Sequence, residues 1–351
     1  MNASLILSKR EELQGQIEEF NALVSGNCVL KECEFPIFPE INQKNEVLLS
    51  EKLNTVLALY TLYPKHRKEL RKLIFLYLAV GLNIENGNYP NASACLKDLY
   101  EEYSAVKKRL KKIHHPPVFV NLMTQALLAH ELCHYKYRLN PELRETEISD
   151  VKREIEEIGY SEAFLRGRAV KYAVKRLENN SQYLEEMACD KAAAIQLAKL
   201  LNSGIVGDKY VGTVIEQTIR LYSTLQLWKN MDDLTSFSHT IRYYRQFMAD
   251  HAFCVYRVGF IAMYVVSNLE WDCEFSPDVF KREVMDYRKV LQDMMCILRS
   301  NLKYGSAFSI STAFDDEDDE NEMVFQEAIR EDYKELGRWI MDELEYRIHS
   351  D

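Results

Sequence analysis

The chain has 351 residues, 47% hydrophobic and 28% charged, with a formal net charge of −10. That length suits one large domain or two modest ones, and the composition is that of an ordinary soluble globular protein. The acidic balance speaks against nucleic acid as the main partner, and only 12 glycines and 8 prolines predict a mainly α-helical chain.

Residues 6–24 carry apolar positions at helical spacing and read as an amphipathic helix. Residues 27–38 are richer in β-formers and contain a proline, which suits an edge strand or an extended arm. Residues 46–50 (EVLLS) read as a short strand, and Ser50 is placed to cap a helix over 51–63. Pro64 breaks that pattern, a second helix runs to about residue 83, and Gly87-Asn88-Tyr89-Pro90 ends the unit. Residues 92–113 form a further helix. Lys107, Lys108, Arg109, Lys111 and Lys112 near its end read as cations solvating a helix C-terminus.

Pro116 and Pro117 open a central helix, VFVNLMTQALLAHELCHYKYRL, which Asn140-Pro141 stops. Its N-terminal half is apolar almost all round, so it is expected to run through the core. Residues 142–177 read as two charged helices divided near Gly159. Asn179-Asn180-Ser181 caps the next helix, YLEEMACDKAAAIQLAKLL. Residues 211–229, 233–268 and 278–303 read as helical. Residues 315–322 hold seven acids in eight positions and are expected to be a disordered loop before a last helix over 323–348.

The apolar run at 73–82 is too short to span a bilayer, and the one at 254–266 is interrupted by Arg257. The first residues, MNASLILSKREELQG, do not read as a secretion signal. The eight cysteines form no C-x-x-C pair, and Cys133 and Cys189 lie within helical apolar patterns. Reduced thiols in a cytoplasmic protein without a membrane span are therefore expected.

Chemistry concentrates at His130-Glu131-Leu132-Cys133-His134. Two histidines four apart share one face of a helix, and a glutamate stands beside them. In the H-E-x-x-H arrangement the imidazoles bind zinc and the glutamate handles the proton of the attacking water. Histidines inside an apolar helix are costly unless paired or liganded. A catalytic zinc usually takes three protein ligands. Glu186, in Glu186-Met187-Ala188-Cys189-Asp190, is the expected third. Asp190 shares its helix face and can accept a hydrogen bond from a ligand histidine. Glu185 competes for the same role but has no acid four residues later. Ala188, Ala192, Ala193 and Ala194 would let the two helices approach closely.

H-E-x-x-H followed by E-x-x-x-D on a later helix resembles the gluzincin group of zinc metallopeptidases. The local form, with small residues after Asp190, is similar to HtpX-type and CAAX-prenyl endopeptidases and to Lit-type phage-exclusion peptidases. HtpX-type enzymes carry a later Ser/Thr-His-Pro with an arginine six residues after the histidine. Here Ser238-His239 and Arg245 keep that spacing, with Thr240 in place of the proline. The resemblance implies that His239 or Arg245, or the phenol of Tyr243 or Tyr244, lies near the site and stabilises the oxyanion. It covers about residues 118–138, 182–198 and 236–246 and lacks the membrane spans of the HtpX and prenyl enzymes, which points to a soluble, Lit-like relative.

The expected fold is mainly α, a zincin-like helical core with a small β-sheet beside the active-site helix. Residues 1–204 would form the metallopeptidase core, and 205–351 a helical part completing the site near 239–245. The expected activity is zinc-dependent hydrolysis of peptide bonds in an intracellular protein or peptide, with Glu131 as proton carrier. The substrate would lie extended along an edge strand, with residues 46–50 offering the edge. The rival reading is a regulatory or binding protein with a degenerate zincin core acting through a partner. His66, His114, His115, His251 and His349 read as structural or surface residues.

Overall fold

The computed structural model describes residues 10–61, 67–108, 118–159, 180–207, 210–219, 221–222, 225, 257, 260–270 and 319–349. The fold is mainly α with a small mixed sheet, as the periodicity predicts. In chain order come α1 (Arg10–Val24), β1 (Val29–Cys33), β2 (Glu40–Ile41), β3 (Glu46–Ser50), α2 (Glu51–Thr61), α3 (Arg67–Glu85), α4 (Tyr89–Lys107), α5 (Phe119–Leu139), α6 (Pro141–Gly159) and α7 (Ser181–Asn202). Helical stretches at 211–219 and 260–267 follow, and α8 (Asp319–His349) closes the described chain. No described helix is long and apolar enough to cross a membrane.

Helix boundaries follow local chemistry. The Ser50 hydroxyl accepts from the Lys52 amide at the start of α2 and donates to the Glu34 carbonyl. Gly87, at φ 71°, turns the chain between α3 and α4. α4 begins three residues earlier than the sequence pattern places it, because Pro90 is tolerated in a first helical turn. α8 likewise begins inside the acidic block. Residues 319–322 form its first turn and not a loop, since acids at a helix N-terminus oppose its positive dipole end. Residues 315–318 lie outside the described residues.

The sheet corrects one expectation. Its order is β1-β3-β2, with β1 parallel to β3 and β2 antiparallel. β3 is thus the central strand, paired with β1 along its length and with β2 at Val47 and Leu48, and not the edge strand expected for a substrate. The short β2, unforeseen from its two residues, takes the place beside the central helix. Arg138 of α5 donates to the Ile41 and Asn42 carbonyls and fixes it there.

α5 runs between two apolar clusters. Leu128, Leu132 and Tyr135 enter a small one with Leu13 and Ile17 of α1, Cys28, and Ile41 and Val47 of the sheet. Val120, Met123, Leu127, Cys133 and Tyr137 belong to the large helical core. Every residue from Phe119 to Leu128 is buried. The polar ones are satisfied in part from α1, where the Glu12 carboxylate accepts from Asn121 and Gln125. α7 packs along α5, and α6 braces both, with Glu147 accepting from Lys136 and Tyr137.

α7 owes its start to Asn180, whose side chain accepts from the amides of Gln182 and Tyr183. Replacing Asn180 with alanine strands two donors, and Asn180→Ala is expected to lower stability by about 1 kcal/mol. The urea unfolding midpoint measures this, with the slope unchanged.

Candidate metal centre

On α5, Met123 and Leu127 begin a stripe at positions i, i+4, i+7 and i+11, and its next members are His130 and His134. The apolar face therefore becomes a donor face halfway along the helix. On α7 the same spacing carries Glu186, Asp190, Ala193 and Leu197, and the last three are buried. His130 meets Asp190 and His134 meets Glu185, so the two helices run antiparallel.

Three side chains converge. The Nε2 atoms of His130 and His134 lie 3.2 Å apart. Glu186 places Oε2 3.6 Å from the first and Oε1 3.6 Å from the second. Ligand atoms at zinc-like bond lengths in a tetrahedron are separated by roughly 3.3 Å. The observed spacings match that figure, and all three donor atoms lie within 4.8 Å of one another. His130, His134 and Glu186 form a largely buried group that could hold a metal ion. Glu131 is beside it, with its carboxylate 3.9 Å from His130 Nε2.

A second ring of carboxylates supports the imidazoles from behind. His134 Nδ1 is 3.1 Å from Glu185 Oε1, and Arg144 of α6 donates to Glu185 Oε2 at 2.8 Å. His130 Nδ1 is 2.9 Å from Asp190 Oδ1, a contact bent away from linear hydrogen-bond geometry and electrostatic in character. Asp190, only 1% exposed, accepts two bonds from the buried Arg257: Nε to Oδ2 at 2.5 Å and Nη2 to Oδ1 at 2.9 Å. Each histidine thus faces a carboxylate, and each carboxylate an arginine. With both Nδ1 atoms turned to carboxylates, both Nε2 atoms point at the shared centre.

Two facing lone pairs at 3.2 Å repel unless a cation or a proton lies between them. Burial disfavours a charged His130, but the Asp190 and Glu186 carboxylates beside its two nitrogens outweigh it and push its pKa up to about 10. Burial and the neighbouring His130 charge hold His134 below its ordinary value. A metal ion bound there would compete with protons for these nitrogens. Burial pushes the Glu131 carboxyl up to about 7. His130 works against that rise, Glu186 and Glu40 add to it, and the Ile41 amide donates a hydrogen bond that lowers it.

The sequence-predicted residues divide cleanly. His130, Glu131, His134, Glu186 and Asp190 are brought together. His239, Arg245, Tyr243 and Tyr244 lie outside the described residues, as do His66, His114, His115 and His251. Glu185, weighed against Glu186 as a ligand, instead faces the outer nitrogen of His134. Arg144, Arg257 and Tyr222 were not foreseen. Arg257 had a signal, being a lone cation in the apolar run at 254–266, and an unpaired charge there is prohibitive. The Tyr222 ring lies 5.7 Å from the Arg257 guanidinium, and its buried hydroxyl has no hydrogen-bond partner among the described residues.

The chain matches no protein-family model, no curated protein and no solved structure.

Because Glu185 orients His134 and is itself held by Arg144, Glu185→Ala is expected to weaken metal affinity by about 10–100-fold without unfolding the chain. Competition with a chromophoric chelator measures the change.

Proposed function

We propose that the protein is a zinc-dependent endopeptidase of gluzincin type, acting in the cytoplasm on a protein or peptide. The observation that carries this reading is the triangle of His130, His134 and Glu186 at tetrahedral spacing, with Glu131 at its side. Two imidazoles and a carboxylate suit zinc and leave the fourth place for a water. The resemblance of H-E-x-x-H plus E-x-x-x-D to gluzincins supports the same reading. The cytoplasmic assignment draws on the described cysteines, all of which are free.

Bound there, zinc would supply Lewis acidity, polarising the peptide carbonyl and making water acidic enough to attack near neutral pH. The protein's own groups do the rest. Asp190 and Glu185 hold the imidazole nitrogens toward the centre. Glu131, mostly buried and hydrogen-bonded by the Ile41 amide, takes the proton of the attacking water and returns it to the departing amine.

Glu131→Gln keeps size and polarity but cannot carry that proton. The variant is expected to retain its metal and to lose at least about 100-fold in cleavage rate. Metal content by mass spectrometry and turnover of a denatured-protein or peptide-library substrate measure the two effects. Full-rate cleavage by the metal-loaded variant would contradict the reading.

A further inference from the structure

Arg257 makes more contacts than the neutralisation of one aspartate requires. It is 5% exposed, and its guanidinium takes both oxygens of Asp190. The same Nη2 atom that reaches Asp190 also lies 3.2 Å from Glu186 Oε2. The Tyr222 ring flanks the guanidinium. One cation therefore joins two carboxylates of α7 that sit one turn apart. One of these faces the outer nitrogen of His130, and the other faces the inner nitrogens of both histidines.

From this geometry we propose that Arg257 is a positioning residue of the metal centre, holding Glu186 and Asp190 in one fixed relation to His130 and His134. The proposal rests on the metal reading of those residues. Glu186 keeps 23% of its side chain exposed, and a lone glutamate side chain there has several rotamers. The contact to Oε2 restricts it to the orientation in which Oε1 looks toward His134. The contact to Asp190 keeps a charged acceptor behind His130. A planar fork with donors on adjacent nitrogens can serve both carboxylates at once, which a lysine ammonium, a single point of charge, does not reproduce.

The test uses the full chain with Co2+ as a spectroscopic probe and Zn2+ under chelator competition. Arg257→Lys keeps the charge and removes the fork. It is expected to stay folded by circular dichroism, to bind metal about 10–100-fold more weakly, and to show a shifted Co2+ visible absorption band. A folded Arg257→Lys protein with parental affinity and an unchanged band overturns the proposal. Should that variant not fold, the comparison is Asp190→Asn alone against Asp190→Asn with Arg257→Gln, which avoids a buried unpaired charge in the double variant. Weaker metal binding by the double variant than by the single one reports the lost Glu186 contact, and equal binding overturns the proposal. A parent protein that takes up no Co2+ or Zn2+ overturns the metal reading and this inference together, whereas metal uptake by the parent separates the two.

Discussion

Two imidazole nitrogens held 3.2 Å apart, largely out of water, are the constraint on which the rest of the site depends. That geometry is unfavourable without a cation between the rings or a proton on one of them. It exists because α5 and α7 pack closely and antiparallel, with buried Ala188, Ala193 and Ala194 on α7. It also exists because carboxylates on α7 grip both rings from outside. The electrostatics favour positive charge between the two Nε2 atoms and Glu186.

The charges arranged around that point form a network that holds only when complete. Asp190, Arg257 and His130 are each less than 7% exposed. Removing one partner of such a buried ionic set commonly costs about 3–5 kcal/mol, because the other is left uncompensated. The surrounding structure supplies the rigidity this demands. Leu128, Leu132 and Tyr135 lock α5 to α1 and the sheet, and the opposite side of the helix lies in the large core. α6 contributes Arg144 to Glu185 and Glu147 to Lys136 and Tyr137, tying the C-terminal turns of α5 to α7. α8 is docked from far along the chain, with the Tyr333 hydroxyl donating to the Tyr77 carbonyl inside the core.

What was legible in the sequence was local. His130 with His134, and Glu186 with Asp190, are i, i+4 pairs, so their shared faces follow from helix geometry alone. The mainly α fold followed from periodicity, and the burial of α5 from its unbroken apolar half. What was not legible depended on contacts between distant segments. Glu186 could be chosen over Glu185 from the acid four residues later, but the place of Glu185 behind His134 could not be read from spacing. Arg144 and Arg257 meet Glu185 and Asp190 across 41 and 67 residues of chain. β2 is two residues long, too short for any pattern, yet its presence makes β3 central. The lone arginine in an apolar run was the one distant partner whose need for a counter-charge could be read in advance.

X-ray absorption of the protein loaded with one equivalent of Zn2+ reads the atoms around the ion. One tightly held ion per chain is expected, with nitrogen and oxygen neighbours at about 2.0–2.2 Å, imidazole scattering, and loss of that signature in His134→Ala. A folded chain that leaves the ion in solution, or a shell dominated by sulfur at about 2.3 Å, would contradict it.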